Sequence, residues 1–78
     1  MELDLSNGLI IGDRHPGTKH FARLFSYAYL TPELQEISSR FAGLAQYLIE
    51  VLEDGPELST ALRKLLEGKD CAVRARLG

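Results

Sequence analysis

The sequence predicts a mainly α-helical protein built on an antiparallel αα-hairpin, with long helices over about residues 32–53 and 55–76. Three observations support this prediction. Apolar residues recur at alternating steps of three and four along the first helix, a Thr-Pro pair marks its start, and an Asp-Gly-Pro-Glu turn separates the two helices. Such spacing fits one face of a helix and no face of a strand. We expect a short helix over about residues 19–28 and an N-terminal β-hairpin or extended arm before the hairpin.

Residues 1–18 are expected to form the N-terminal arm. Residues 2–5 alternate acidic and apolar side chains, as a half-exposed strand does. Ser6-Asn7-Gly8 then contains residues that tolerate positive φ, and the apolar residues 9–11 follow. The pattern fits a short β-hairpin and equally an extended arm that lies on the helices. Residues 12–17 are expected to form a loop because they are rich in glycine and proline.

The next segment, residues 19–30, combines a short helix with aromatic residues. Thr18 can cap a helix over about residues 19–28, whose two phenylalanines have helical spacing. Tyr27 and Tyr29 follow just before the first long helix.

The first long helix has a clear start signal in Thr31-Pro32-Glu33. Threonine is a good N-cap, proline suits the first helical position, and an early glutamate complements the positive end of the helix. We expect the apolar stripe of this helix to form the seam of the hairpin. The stripe comprises Leu34, Ile37, Phe41, Leu44, Leu48 and Val51.

The turn between the long helices is expected to start the second one. Asp54 can accept hydrogen bonds from the first amides of that helix, while Glu57, three residues later, completes a capping box. A connection this short makes the two helices antiparallel neighbours.

The seam of the second helix includes two cations. Steps of four and three from Leu58 give Leu62, Leu65, Lys69, Ala72 and Arg76. A buried unpaired cation costs several kcal/mol, so Lys69 and Arg76 must be paired, exposed at the end of the bundle, or available to an anion. Alternatively, the seam rotates toward Leu66 and Val73, and both cations face water.

Length and composition set the general class of the protein. The 78 residues suffice for one small domain, 1–78, and such a chain buries only about 60% of its unfolded surface. We therefore expect homo-oligomers that bury the remaining apolar surface. The single cysteine cannot form an internal disulfide, no apolar run approaches the length of a membrane span, and the acidic start is unlike a signal peptide. These features predict a cytoplasmic protein.

Charge is unevenly distributed along the chain. The net charge is −2, but residues 31–62 contain one basic and six acidic side chains, whereas residues 63–78 contain five basic and two acidic ones. The overall balance argues against a DNA-binding protein, which normally has a basic excess. An anionic ligand is expected near the basic final third.

The sequence contains few residues in patterns that are typical of a catalytic site. His15 and His20 are separated by a Pro-Gly loop and lie far in sequence from Cys71, so no zinc site is expected. The chain has no P-loop, no dinucleotide glycine fingerprint and no nucleophile elbow. We expect neither enzymatic activity nor a cofactor.

Basic and aromatic side chains instead favour a compact nucleotide as ligand. Arginine and lysine bind phosphates, and aromatic faces stack on bases. Charged residues near helix ends are also commonly solvated, and this alternative stays open. The candidate ligand-binding residues are Arg23, Tyr27, Tyr29, Arg40, Arg63, Lys69 and Arg74.

The hairpin resembles a family of small phage proteins. The resemblance rests on Phe-Ala-Gly-Leu-Ala at residues 41–45, the glycine-containing turn at 54–57, and Ala-Leu-Arg-Lys-Leu-Leu-Glu at 61–67. Phe25-Ser26-Tyr27 is similar to the aromatic segment that often precedes this hairpin. Over about residues 25–76 the chain is similar to the hairpin family that includes the phage anti-CBASS and Thoeris anti-defence sponges.

The resemblance implies a specific function. Family members form dimers and hexamers and bind cyclic nucleotide immune signals, either cyclic oligonucleotides or cyclic ADP-ribose isomers, without cleaving them, so that the host effector is never activated. Members of the Thoeris type have aromatic and asparagine side chains where this chain has residues 69–74, Lys-Asp-Cys-Ala-Val-Arg. The alternative is a small phage accessory hairpin that binds a host protein through the acidic residues of 31–62.

Overall fold

A computed structural model describes residues 4–78, and within that range the chain forms helices and no strand. The two long helices are antiparallel and pack along their length, as predicted, and an ion pair between Arg76 and Glu33 joins their far ends. The elements in chain order are α1 (Pro16–Lys19), a 3-10 helix (Arg23–Phe25), α2 (Pro32–Val51) and α3 (Pro56–Leu77). No helix in this part of the chain has both the length and the apolar character that a bilayer crossing requires.

The ends of the long helices are close to the predicted ones. Thr31 is the N-cap of α2, although its side chain makes no capping hydrogen bond. The helix ends two residues before the predicted boundary because Leu52 adopts an extended backbone conformation. α3 starts at Pro56, with Gly55 as its N-cap, and it ends at Leu77, one residue beyond the expected end.

Residues 4–15 form an extended arm that packs on the hairpin. A β-hairpin is the wrong alternative for the described residues; Glu2 and Leu3 lie outside them. The backbone of the arm bonds with other segments instead: Leu9 N donates to Ala22 O at 2.9 Å, and Tyr27 N donates to Ser6 O at 2.8 Å.

A buried glutamine of α2 holds the middle of the arm. The Gln46 side chain accepts a hydrogen bond from Ile10 N and donates one to Ile10 O, both at 2.9 Å. It therefore bonds to the backbone of the arm as a neighbouring strand would. The amide and the carbonyl group of Ile10 would otherwise lack a partner at the edge of the core.

The single short helix predicted over residues 19–28 is wrong. One turn, α1, precedes a separate 3-10 turn, and Thr18 lies inside α1, where His15 is the N-cap. Phe21 and Phe25 nevertheless both lie in the core, where their exposed fractions are 3% and 1%. A continuous helix would prevent the backbone bonds that residues 22 and 27 make with the arm.

The core lies between the arm, the two short helical turns and the hairpin. Burial of these apolar side chains, at about 25 cal/mol per Å², is the main force that fixes the arm on the hairpin. The buried apolar cluster comprises Leu5, Leu9, Phe21, Phe25, Ala42, Ala45, Ile49, Leu58 and Leu62.

The predicted seam of α2 is correct for Leu34, which is buried, and for Phe41 and Leu48, which pack against the core, but it is wrong for Leu44 and Val51. Leu44 and Val51 are 48% and 53% exposed. The buried line shares Leu34 with the predicted stripe and continues through Ser38, Ala42, Ala45 and Ile49. At 3.6 residues per turn, this line is rotated from the predicted stripe by about 100°. Alanine and serine have short side chains, so this face lets α3 and the core approach α2 more closely than a stripe of leucines would.

The predicted seam of α3 agrees better with the structure. Leu58 and Leu62 are buried, and Lys69 is buried with them at 6% exposure. The alternative in which both cations face water is therefore wrong for Lys69. Arg76 is exposed at the end of the hairpin, where it pairs with Glu33.

The capping box predicted at Asp54 does not form, because α3 has no side-chain cap. The Asp54 carboxylate accepts hydrogen bonds from three groups near α1: Thr18 Oγ1 at 2.7 Å, His15 N at 3.0 Å and Arg14 Nε at 3.0 Å. The hydroxyl of Thr18 and the amide of His15 are the main reasons why the pKa of Asp54 is lowered from its usual value. Asp54 therefore joins the arm to the turn of the hairpin.

Candidate functional site

A small cavity lies between the aromatic segment and the second half of α3. Its volume is about 150 Å³, and it is shallow and open on one side. Three of the seven candidate residues predicted from the sequence lie in its wall, although they come from two segments about 40 positions apart. The lining residues are Tyr29, Leu30, Lys69, Asp70, Val73 and Arg74.

The aromatic side of the cavity is held by the first turn of α2. Gln35 Nε2 donates to Ala28 O at 3.1 Å and to Leu30 O at 2.9 Å. Leu30 N also donates to Tyr27 O at 3.0 Å, which closes a turn. These bonds fix the backbone on both sides of Tyr29, whose ring is free because the residue is 74% exposed.

Lys69 forms the inner wall of the cavity. Its side chain is 8% exposed, and its Nζ lies 3.1 Å from Asp70 Oδ1. Removal of an ammonium group from water is costly unless an anion compensates it, so Asp70 is the partner that permits this burial. The Asp70 side chain is 48% exposed, so its carboxylate has room to turn away when another anion approaches.

Arg74 forms the outer rim, one turn of α3 after Asp70. The residue is exposed, and the contact described for its guanidinium is a weak hydrogen bond from Nη2 to Cys71 Sγ at 3.3 Å. The cavity thus contains two cations and one carboxylate, with a formal net charge of +1. This arrangement can bind one phosphate or carboxylate group beside an accessible aromatic ring.

The other four candidate residues do not line this cavity. Arg23 is exposed on the 3-10 helix, and Arg63 is exposed on α3. Tyr27 is half-buried and packs against the core, so its ring serves the fold. Arg40 is exposed on α2 and pairs with Glu36 through an Nη2–Oε1 contact of 2.6 Å.

Sequence reasoning missed the acidic and apolar members of the cavity. Asp70 is adjacent to a lysine at a seam position, which is a usable sign of charge compensation within the helix. Val73 lies one turn after Lys69 and therefore on the same face of α3. Leu30 has no such signal, since its position depends on the bonds from Gln35.

A second, larger cavity of about 390 Å³ lies where α1 meets the turn of the hairpin. Both oxygens of Asp54 already accept hydrogen bonds there, and His15 Nδ1 accepts one from Gly17 N at 3.0 Å. The polar groups that line this cavity thus serve mainly to connect α1 with the turn. The lining residues are His15, Gly17, Thr18, Asp54, Gly55, Pro56 and Ser59.

The fold and the cavity define a helical-hairpin protein with a small cationic and aromatic site. No family model, no curated protein and no solved structure matches the chain. The residues that line the cavity are therefore the structural basis on which a function can be proposed.

Proposed function

We propose that the protein is a phage anti-defence sponge: it binds a cyclic nucleotide immune signal, a cyclic oligonucleotide or a cyclic ADP-ribose isomer, and retains it without cleavage. In the infected cell this would block CBASS or Thoeris signalling. The observation that supports the proposal is that Tyr29, Lys69 and Arg74 line one cavity with an excess of positive charge.

Each of the three residues has a distinct task in the proposed complex. Arg74 is exposed and supplies directional donors to a phosphate. Lys69 supplies a charge in a less solvated position, where it acts more strongly than at the surface. Tyr29 offers its ring for stacking on a base, which is worth about 1–3 kcal/mol per base.

The size of the cavity implies that one copy of the chain does not enclose such a ligand. Ligand pockets usually measure about 300–1,000 Å³, and this one measures about 150 Å³. A sponge must bind tightly, and nanomolar affinity corresponds to about −12 kcal/mol. The proposal therefore includes self-association, in which a second copy of the chain contributes further walls to the site.

Calorimetric titration with a panel of ligands tests the proposal. The panel contains cyclic dinucleotides, cyclic trinucleotides, cyclic ADP-ribose isomers and their linear counterparts. We expect tight binding of at least one cyclic compound, and recovery of that compound unchanged after denaturation of the protein. If no cyclic compound binds, the proposal is wrong; if the compound is recovered as a linear product, the protein is an enzyme and not a sponge.

Matched arginine variants test the position of the site. Arg74→Ala should weaken binding about 10-fold or more, because a hydrogen bond to a charged group contributes about 1.5–3 kcal/mol. Arg63→Ala removes the same charge from the same helix outside the cavity and should leave affinity within about twofold. Equal effects of the two substitutions would show that only the overall charge matters and would contradict the assigned site.

The lysine and the tyrosine need conservative variants. Lys69→Met retains the buried aliphatic chain and removes the charge, so a loss of affinity with unchanged helicity would support a contact with phosphate. Tyr29→Ala should weaken binding without a change in stability because the ring is exposed. If both variants bind like the wild type, the ligand binds elsewhere on the protein.

A further inference from the structure

α2 has an apolar stripe that the rest of the chain leaves open. Leu44, Tyr47 and Val51 are 48%, 57% and 53% exposed, and Ile37 on the same stripe is half-buried. With 3.6 residues per turn, the centre of this stripe lies about 135° around the helix from the centre of the buried line. Three of the six heptad residues predicted as the seam, Ile37, Leu44 and Val51, thus lie on an outer face of the hairpin.

The two neighbours of α2 leave this face uncovered. α3 covers the buried line, and the arm covers the flank where Gln46 binds Ile10. The Cα trace is consequently thin, with extents of 35 × 26 × 17 Å. Scattered exposed apolar residues are ordinary, but an apolar row at heptad spacing is the pattern with which a helix packs against another helix.

The total exposed area is consistent with a missing neighbour. The chain exposes 5279 Å² at a mass of 8.7 kDa, whereas a monomeric protein of that mass exposes about 4,700 Å². The excess, about 580 Å², is about three quarters of the roughly 800 Å² that each partner buries in a standard protein interface.

We propose that a second copy of the chain covers this stripe, with its own α2 antiparallel to the first, about a two-fold axis that passes near Leu44. The spacing of the stripe is symmetric about this residue, since Ile37 precedes it by seven positions and Val51 follows it by seven. Two-fold pairing places Leu44 beside Leu44 of the partner subunit and Ile37 beside Val51 of the partner subunit. An isologous contact requires this self-complementarity.

The polar residues beside the stripe fit the same arrangement. Glu50 is the one acidic residue between Ile37 and Val51, and it lies about 120° around the helix from Leu44. Its carboxylate accepts a hydrogen bond from Gln46 Nε2 on the flank that the arm covers, so it does not interrupt the stripe. The arrangement brings Arg40 near the ring of Tyr47 of the partner subunit, where a cation–π contact is favourable. Glu36 already neutralises the charge of Arg40 within one chain, so the antiparallel pair meets no like-charge repulsion at the centre.

The proposed pairing identifies the face through which the chain self-associates. The contact is formed by the stripe of α2 and does not require a bound nucleotide. It goes beyond the proposed function, which requires some assembly but does not identify its contact surface. A dimer that binds no cyclic nucleotide would contradict the proposed function alone, and an assembly that binds one and keeps its mass in Leu44→Glu would contradict the pairing alone.

The mass in solution is the first test. Light scattering on the purified full chain should give at least twice the mass of one chain. Leu44→Glu, which places charge at the two-fold axis, should give the mass of half the assembly or less with unchanged helicity. Leu77→Glu is the matched control, because Leu77 is 70% exposed outside the stripe; it should leave the mass unchanged. A wild type with the mass of one chain, or Leu44→Glu with the wild-type mass, would overturn the proposal.

Cysteine pairs test the direction of the helices. In a Cys71→Ser background, we expect a mixture of Ile37→Cys and Val51→Cys chains to form disulfide-linked dimers under mild oxidation, and each variant alone to form few. Disulfides require Cα atoms within about 7 Å, so only adjacent positions react. The reverse result, in which each variant links to itself and the mixture adds nothing, would indicate parallel helices and overturn the proposed arrangement.

Discussion

The Arg14 guanidinium and the Asp54 carboxylate are joined by an Nε–Oδ1 hydrogen bond of 3.0 Å, which connects the loop before α1 to the turn of the hairpin. The same guanidinium donates from Nη1 to Ile49 O at 2.5 Å and from Nη2 to Leu52 O at 2.8 Å. The last carbonyl groups of a helix lack partners within the helix. Arg14 therefore caps the end of α2 and also binds Asp54 in the turn between the two long helices.

The stability of the protein in acid should depend on Asp54. Its pKa is lowered mainly by the hydrogen bonds from Thr18 and His15. A carboxyl group whose pKa is lower in the folded state stabilises the fold above its unfolded pKa, and this contribution is lost as the pH falls through the folded pKa. Asp54→Asn should therefore reduce the difference between the urea midpoints at neutral pH and at about pH 2.5.

The exposed Asp13 provides the control for this experiment. Asp13→Asn should retain the wild-type dependence of the urea midpoint on pH. If Asp54→Asn also retains the full wild-type loss of stability in acid, the carboxylate of Asp54 does not contribute as the structure indicates.

Two equally buried hydroxyl groups should respond in opposite directions to their removal. Thr18 and Ser38 are each 1% exposed. The Thr18 hydroxyl donates to Asp54, whereas Ser38 Oγ has no hydrogen-bond partner among the described residues. Thr18→Val should destabilise the protein by about 1–3 kcal/mol because it removes the hydrogen bond to a carboxylate. Ser38→Ala should be neutral or stabilise it by about 1 kcal/mol because no bond is lost.

Chemical denaturation of the two variants provides the comparison. A destabilisation by Ser38→Ala as large as that by Thr18→Val would mean that the Ser38 hydroxyl has a partner in solution, such as a bound water.

Removal of the Asp70 carboxylate should destabilise the fold and strengthen the response to anions. Asp70→Asn leaves the Lys69 ammonium buried without its partner, at a cost of about 1–3 kcal/mol. Added phosphate should then raise the melting temperature of the variant more than that of the wild type, since a bound anion replaces the lost charge.

Glu67→Gln is the matched substitution on α3. Glu67 pairs with Lys64 at 3.7 Å, and both side chains are largely exposed. Loss of an exposed pair costs little, about 0.5 kcal/mol or less, and phosphate should have no added effect. If phosphate raises the melting temperatures of the two variants equally, the cavity around Lys69 is not the anion site.

Two glycines should show opposite effects when replaced by alanine. Gly8 has φ +122°, and a Cβ there would lie 2.4 Å from Ala22 O. Gly8→Ala should therefore displace the arm and destabilise the protein by more than about 1 kcal/mol. Gly43 lies in α2, and a Cβ there would meet no other side chain or segment within 4 Å, so Gly43→Ala should stabilise the protein by about 0.5–1 kcal/mol. Thermal unfolding measures both; stabilisation by Gly8→Ala would contradict the described path of the arm.

The candidate site was only partly predictable from the sequence. Residue type identified Tyr29, Lys69 and Arg74, because cations and aromatic rings are the groups that bind nucleotides. It also selected Tyr27 and Arg40, which serve the core and a surface ion pair in the structure. The type of a residue indicates what its side chain can bind, but it does not indicate which side chains line the same cavity. In this protein the composition of the cavity depends on the path of residues 28–30 over α3.

The sequence by itself determined the two long helices, their short connection and their antiparallel packing. Those features follow from local signals, namely helical spacing, a proline at each helix start and a turn too short for any other arrangement. The tertiary structure alone decided which face of α2 is buried, where the Asp54 carboxylate binds and how deep Lys69 lies. These outcomes depend on residues distant in sequence: Arg14 lies 40 positions before Asp54, and the face of α2 that is buried is the one that meets α3, the 3-10 helix and the arm.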